Sequence, residues 1–195
     1  MEVKRFSSDD IDFISKSEYI LRKNELVKQL FKNLSFLREC LETDLKQNPI
    51  HNFKIPAGKI SKGENFHGLP YLVLDFPSIF KKENIFAFRT IVWWGNFYSN
   101  NLILKGKYLS HFKGKILVDY TKIKNELFYV GKNPWQHEID QSYVKISNLD
   151  HENLKEQITQ NKFVKICRRH EIKDLNKLKS NTLDFYQTLR INLLD

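Results

Sequence analysis

An aspartate and an arginine set in apolar sequence are the residues of this chain best suited to chemistry. Asp75 lies in the run LPYLVLDF, and Arg89 in IFAFRTIVWW. A lone charge buried in such segments costs several kcal/mol, so each requires a partner, and the simplest partner for either is the other. Read structurally, the two neutralise one another. Read as a site, they place a carboxylate and a guanidinium on the floor of a pocket, where the arginine fork can hold a small anion bidentately. Strand alternation puts Trp93 on the face of Arg89, where an exposed indole would suit stacking on a base, a sugar or a peptide. Gly95-Asn96 marks a turn or bulge next to it, and Asn96 joins Thr90 as a polar group that needs a partner.

Three further groupings are weaker. Glu64 and His67 stand three residues apart between Gly63 and Gly68, so a loop there would bring an acid and a base together. The same letters also describe a polar surface turn, as does His137-Glu138. Lys105-Gly-Lys107 and Lys113-Gly-Lys115 are candidate anion binders at strand ends, or lysines that protect sheet edges. Arg168-Arg169-His170 reads as a solvated turn before the final helix. The chain has no nucleotide-binding glycine loop, no serine-nucleophile elbow and no zinc-protease spacing. No cofactor and no metal is implied.

The elements that must position these groups are legible in the periodicity. Ser7-Ser8-Asp9-Asp10 opens a helical region that runs to Asn48, with a bend near residues 15–17 and a stop at Pro49. Val27, Leu30, Leu34, Leu37, Leu41 and Leu45 recur at helical steps and make one apolar stripe. Residues 49–68 read as loop and edge strand. Strands follow at 69–76, 85–94 and 97–104, with 77–84 as a connection, and shorter ones at 115–119, 126–130, 143–146 and 163–167. Helices are expected at 150–160 and from 171 onward. This order predicts a single α+β domain over residues 1–195: 1–48 helical, 53–147 mainly β, 148–195 mainly helical. The central sheet is mostly antiparallel, flanked by the long N-terminal helical region and the C-terminal helix.

Composition bounds the function. A chain of 195 residues with 41% hydrophobic residues can bury a full core. The net charge is +9, and residues 53–147 carry most of the excess, fourteen basic against seven acidic residues. Seven of the 32 basic residues are arginine, fewer than base-reading proteins usually cluster, so nucleic acid is not the favoured partner. No apolar stretch is long enough to span a bilayer, and the first residues hold no signal-peptide core, which predicts a cytoplasmic protein with two reduced thiols, Cys40 and Cys167. The sequence points to a non-enzymatic binding protein that uses an aromatic, Arg89-bearing sheet face, with a protein or a small anionic ligand as partner. An enzyme is the alternative, with Arg89 holding an anionic substrate and Asp75, Glu64 or His67 moving protons. Weak nucleic-acid binding through the lysine-rich turns is the third reading. A homodimer through the leucine stripe or the sheet aromatics fits the first.

Overall fold

Ser7 caps the first helix by the expected box: its hydroxyl accepts from the Asp10 amide (3.1 Å), and the Asp10 carboxylate accepts from the Ser7 amide (2.9 Å). This helix, α1 (Ser8–Ser15), breaks at Lys16, and α2 (Ser17–Gln47) continues to the stop before Pro49. The computed structural model describes residues 3–51 and 53–195. At about 1.5 Å per residue, the 31 residues of α2 extend about 46 Å. Its leucine stripe is buried at Leu30, Leu34, Leu37 and Leu41. N-terminal to the stripe, every described residue from Val3 to Glu25 except Lys23 is exposed.

Seven strands form one antiparallel sheet in the order β1-β2-β3-β4-β7-β5-β6. They are β1 (Lys59–Phe66), β2 (Leu69–Lys81), β3 (Asn84–Trp93), β4 (Phe97–Lys105), β5 (Leu127–Tyr129), β6 (Tyr143–Lys145) and β7 (Phe163–Glu171). The remaining helices are α3 (Lys107–Asp119), α4 (His151–Asn161) and α5 (Leu178–Leu189). The chain is a single α+β domain. One face of the sheet carries Leu72, Leu74, Phe86, Phe88, Leu102 and Ile166, and all of these join the core built with α2, α3, α4 and α5. The opposite face holds two smaller clusters, one around Ile85, Ala87 and Ile103 and one around Tyr129, Tyr143, Phe163 and Cys167. Residues 130–142 cross that face as an irregular strap and press Trp135 onto the first cluster.

Several expectations need correction. Residues 77–84 are not a connection: β2 runs through Pro77 to Lys81, and Lys82-Glu83 alone makes the turn. The proline is tolerated because it sits at a bulge between Asp75 and Ser78, past the last β1 partner at Asp75. The strand expected at 115–119 is the end of α3, whose buried Tyr108, Leu109, Phe112 and Ile116 follow a helical period. Arg168-Arg169-His170 is not a turn but part of β7, which runs nine residues and pairs with β4 along its full length. The terminal helix begins later than expected, with a 3-10 segment (Ile172–Lys177) ahead of α5.

Candidate functional site

Asp75 and Arg89 face one another directly across β2 and β3. Arg89 donates from Nε to Asp75 Oδ1 (2.6 Å) and from Nη2 to Oδ2 (2.9 Å), the parallel fork that arginine makes with a carboxylate. Its third nitrogen, Nη1, lies 3.4 Å from His137 Nε2 on the strap. The guanidinium is flanked by the rings of Trp135 (4.7 Å) and Phe80 (5.7 Å). On the same face, the Lys165 side chain is 1% exposed and donates Nζ to the carbonyl of Gln136. The Tyr129 and Tyr143 rings lie 5.2 and 5.4 Å from that ammonium, and the Tyr143 hydroxyl donates to the same carbonyl (3.0 Å). Two consecutive strap residues, Gln136 and His137, thus supply the acceptors that sit on two buried cations.

Burial dominates the electrostatics here. It pushes the Asp75 carboxyl up, and the arginine fork draws it back down. It lowers His137 to about 3, helped by the positive charges of Arg89 and Lys165, so the imidazole stays neutral and can accept from Arg89. It brings Lys165 down to about 8 and raises the fully buried Cys167 thiol to about 12, which leaves that thiol unreactive.

The other expected site residues lie elsewhere. Trp93 shares the Arg89 face but is 6% exposed: its Nε1 donates to the Phe66 carbonyl (3.2 Å), and Phe66 and Phe97 pack on its ring. It offers no open stacking surface. Trp94 points to the helices and is half-buried. Asn96 bonds the Trp94 carbonyl within the turn. Glu64 faces the helical side and pairs with Lys23 of α2, whereas His67 reaches Glu138 of the strap (3.5 Å). The acid and base of that loop therefore point to opposite faces of the sheet, and Glu64 does not join Arg89. Lys105 bonds the Lys82 carbonyl (2.8 Å), Lys115 bonds the Asp195 carbonyl (2.8 Å), and Lys107, Lys113 and Lys115 stand on α3, not on sheet turns. Among the described residues, no group of three or more His, Cys, Asp or Glu is arranged to hold a metal ion, and no helix is long and apolar enough to cross a membrane.

Two polar networks were not foreseen. Asn100 is fully buried, and its Oδ1 accepts from the hydroxyls of Thr90 and Thr182 (2.9 Å each). Its Nδ2 approaches His170 Nε2 (3.3 Å), and the His170 ring stacks on Tyr98 at 4.6 Å. Burial and the neighbouring Arg168 hold His170 at about 4. Arg168 in turn bonds Glu126 and Asp184 and lies over Phe185. Both networks tie the sheet to α5. The available signal was the polar residue set in an apolar run: Lys165 interrupts FVKIC as Asp75 and Arg89 interrupt their strands, whereas Arg168 and His170 fall in the charged second half of β7.

The largest unsatisfied surface lies outside all of these groups. Phe6, Ile11, Phe13, Ile14, Tyr19, Ile20 and Leu21 are each more than half exposed. They occupy an arm, residues 3–25, non-helical up to its cap at Ser7 and helical from Ser8, in which α1 buries nothing. Phe13 and Tyr19 stack at 5.5 Å across the break at Lys16. At the root of the arm, α2 and the 3-10 segment enclose an apolar groove of about 310 Å³, lined by Leu26, Leu30, Val92, Trp94, Ile172 and Leu175. The chain matches no protein-family model, no curated protein and no solved structure.

Breaking the buried pair should cost more than removing it. Asp75→Leu or Arg89→Met alone strands a charge and should lower unfolding stability by about 3–5 kcal/mol. The double variant should recover most of that loss in urea melts, and simple additivity would show that the two residues do not act as a pair. The histidines set an acid limit. The folded-state values of His137 and His170, about 3 and about 4, lie below the ordinary 6.5. Between those values and 6.5 the unfolded chain binds more protons, so stability is present above pH 6.5 and is lost as pH falls toward 4. Thermal melts should show this decline, and a His137→Asn/His170→Asn variant should flatten it.

Proposed function

We propose that this is a non-enzymatic binding protein whose working surface is the N-terminal helical arm and the groove at its root. One observation carries the reading: seven large apolar side chains cluster within residues 6–21 with no cover from the rest of the chain. Soluble monomers rarely leave a contiguous patch of this kind in water, and such patches mark contact sites. The sheet face that carries Arg89 suits this role less well, because the strap lies over it and Trp93 is buried. A protein partner fits the arm, since exposed aromatic and aliphatic side chains carried on helices suit the helix-in-groove mode of recognition. The two free cysteines, one half-buried and one buried, suit a reducing, cytoplasmic setting.

A second reading, a site for a small anion, rests on the two cations beneath the strap. Arg89 is paired with Asp75, and the acceptors that complete the coordination of Arg89 and Lys165 belong to the strap. An anion that displaced Gln136 and His137 would meet both cations.

The first reading predicts that full-length chain carrying Phe13→Asp and Ile14→Asp loses the proteins co-purified by wild type from its own cells. Its melting temperature should be unchanged, because α1 buries no residue. An identical set of captured proteins would reject the arm as the surface. For the second reading, titrated inorganic phosphate should change the fluorescence of Trp135 saturably, and the change should vanish in Trp135→Phe. A flat titration would remove it.

A further inference from the structure

The arm and the groove complement each other in three respects. The first is charge. α1 carries Asp9, Asp10 and Asp12 and no basic residue. Beside the groove, the 3-10 segment and the start of α5 carry exposed Lys173, Lys177 and Lys179 against one acid, Asp174, which bonds Lys177 (3.1 Å). The second is shape. A helix of eight residues and roughly 10 Å diameter occupies on the order of 1,000 Å³, far more than the groove holds, so the groove takes one stripe of side chains. Ile11 and Ile14, three residues apart, form such a stripe on α1. The third is reach. Ser15 lies about 17 Å along the helical path from Leu26, the first groove residue, while α1 is about 12 Å long. Even folded back, α1 stops short of its own groove.

From this fit we propose that two copies of the chain pair by exchanging arms, α1 of each seated in the lysine-rimmed groove of the other. The inference rests on the arm being a binding surface and names the occupant of the groove. An exchange of this kind is isologous: each copy gives the same patch and receives the same patch, so the pair closes under a two-fold axis. Phe6, Phe13 and Tyr19 are 72%, 64% and 54% exposed. Aromatic side chains bury roughly 150–250 Å² each, so the three contribute on the order of 400 Å² per arm, and two arms about 800 Å². Ile11, Ile14, Ile20 and Leu21, each more than half exposed, add to this area, and stable pairs bury roughly 1,200–2,000 Å² in all. The acidic helix against the lysine rim fixes which end of the arm enters.

The charges allow a test that loss of folding cannot mimic. Light scattering on the eluting full-length protein at about 100 µM should give twice the chain mass of 23.3 kDa. Asp9→Lys/Asp12→Lys reverses the arm, and Lys173→Glu/Lys177→Glu reverses the groove rim. Each variant alone should pair at least tenfold more weakly, with an unchanged melting temperature. Mixed, they should form a heterodimer, because each arm again meets a groove of opposite sign. A wild-type chain of single mass at 100 µM, or a pair indifferent to both reversals, would overturn the exchange. The broader binding role is decided separately. If wild type is single yet the Phe13→Asp/Ile14→Asp variant still loses captured proteins, the arm remains a binding surface and the second copy is not its partner.

Discussion

The central strands are apolar on both sides, and that constraint shapes the rest of the molecule. In β3, Phe86, Phe88 and Val92 face the helices, while Ile85, Ala87, Ile91 and Trp93 face the other way. A sheet of this kind needs two covers. The helices supply one, with leucines that bury against it as any amphipathic helix does. The other cover is the thirteen-residue strap, residues 130–142, which has no regular structure of its own. A segment that short buries little apolar surface, so polar bonds fasten it. The His137 imidazole sits on Arg89, and the Gln136 carbonyl takes bonds from Lys165 and Tyr143.

This explains why charged groups occur inside the sheet at all. Arg89 and Lys165 are anchors for the strap, and Asp75 neutralises the first of them. The arrangement raises the cost of every titration on that face. His137 resists protonation because burial and two cations oppose it, and Lys165 gives up its proton more readily for the same reasons. Similar logic holds beneath the helices, where Asn100 gathers two threonine hydroxyls and His170 into a network joining the sheet to α5.

The two halves of α2 have opposite fates. The C-terminal half is clamped: Arg190 bonds Asp44 (2.9 Å), the Asn48 carbonyl (2.8 Å) and Asp195 (2.7 Å), drawing the last residues of the sequence onto the end of α2. Its first residues, 17–22, are exposed, with Tyr19, Ile20 and Leu21 uncovered. Lys23 meets Glu64 near the end of β1, and the helical residues before it are exposed. The leucine stripe and the exposed residues 17–22 are successive stretches of one helix.

Short-range physics made much of the fold readable from the residues. Helical spacing marked the stripe of α2, near-continuous apolar runs broken by turn residues marked β2, β3 and β4, a hydroxyl-acid box marked the start of α1, and the expense of an unpaired buried charge marked Asp75 with Arg89. Local pattern misled where a residue's usual habit was overruled by its neighbours in space. Pro77 stays in a strand because no β1 residue lies opposite to need its amide, and the lysines of α3 follow the helical period set by buried Tyr108 and Phe112. Which side of the sheet would be roofed, and by what, depended on contacts between residues 40 or more positions apart, such as Arg89 with His137. No periodicity records such contacts. The same holds for the arm: its apolar residues are of the same types as core residues, and only the assembled fold shows that the rest of the chain leaves them in water.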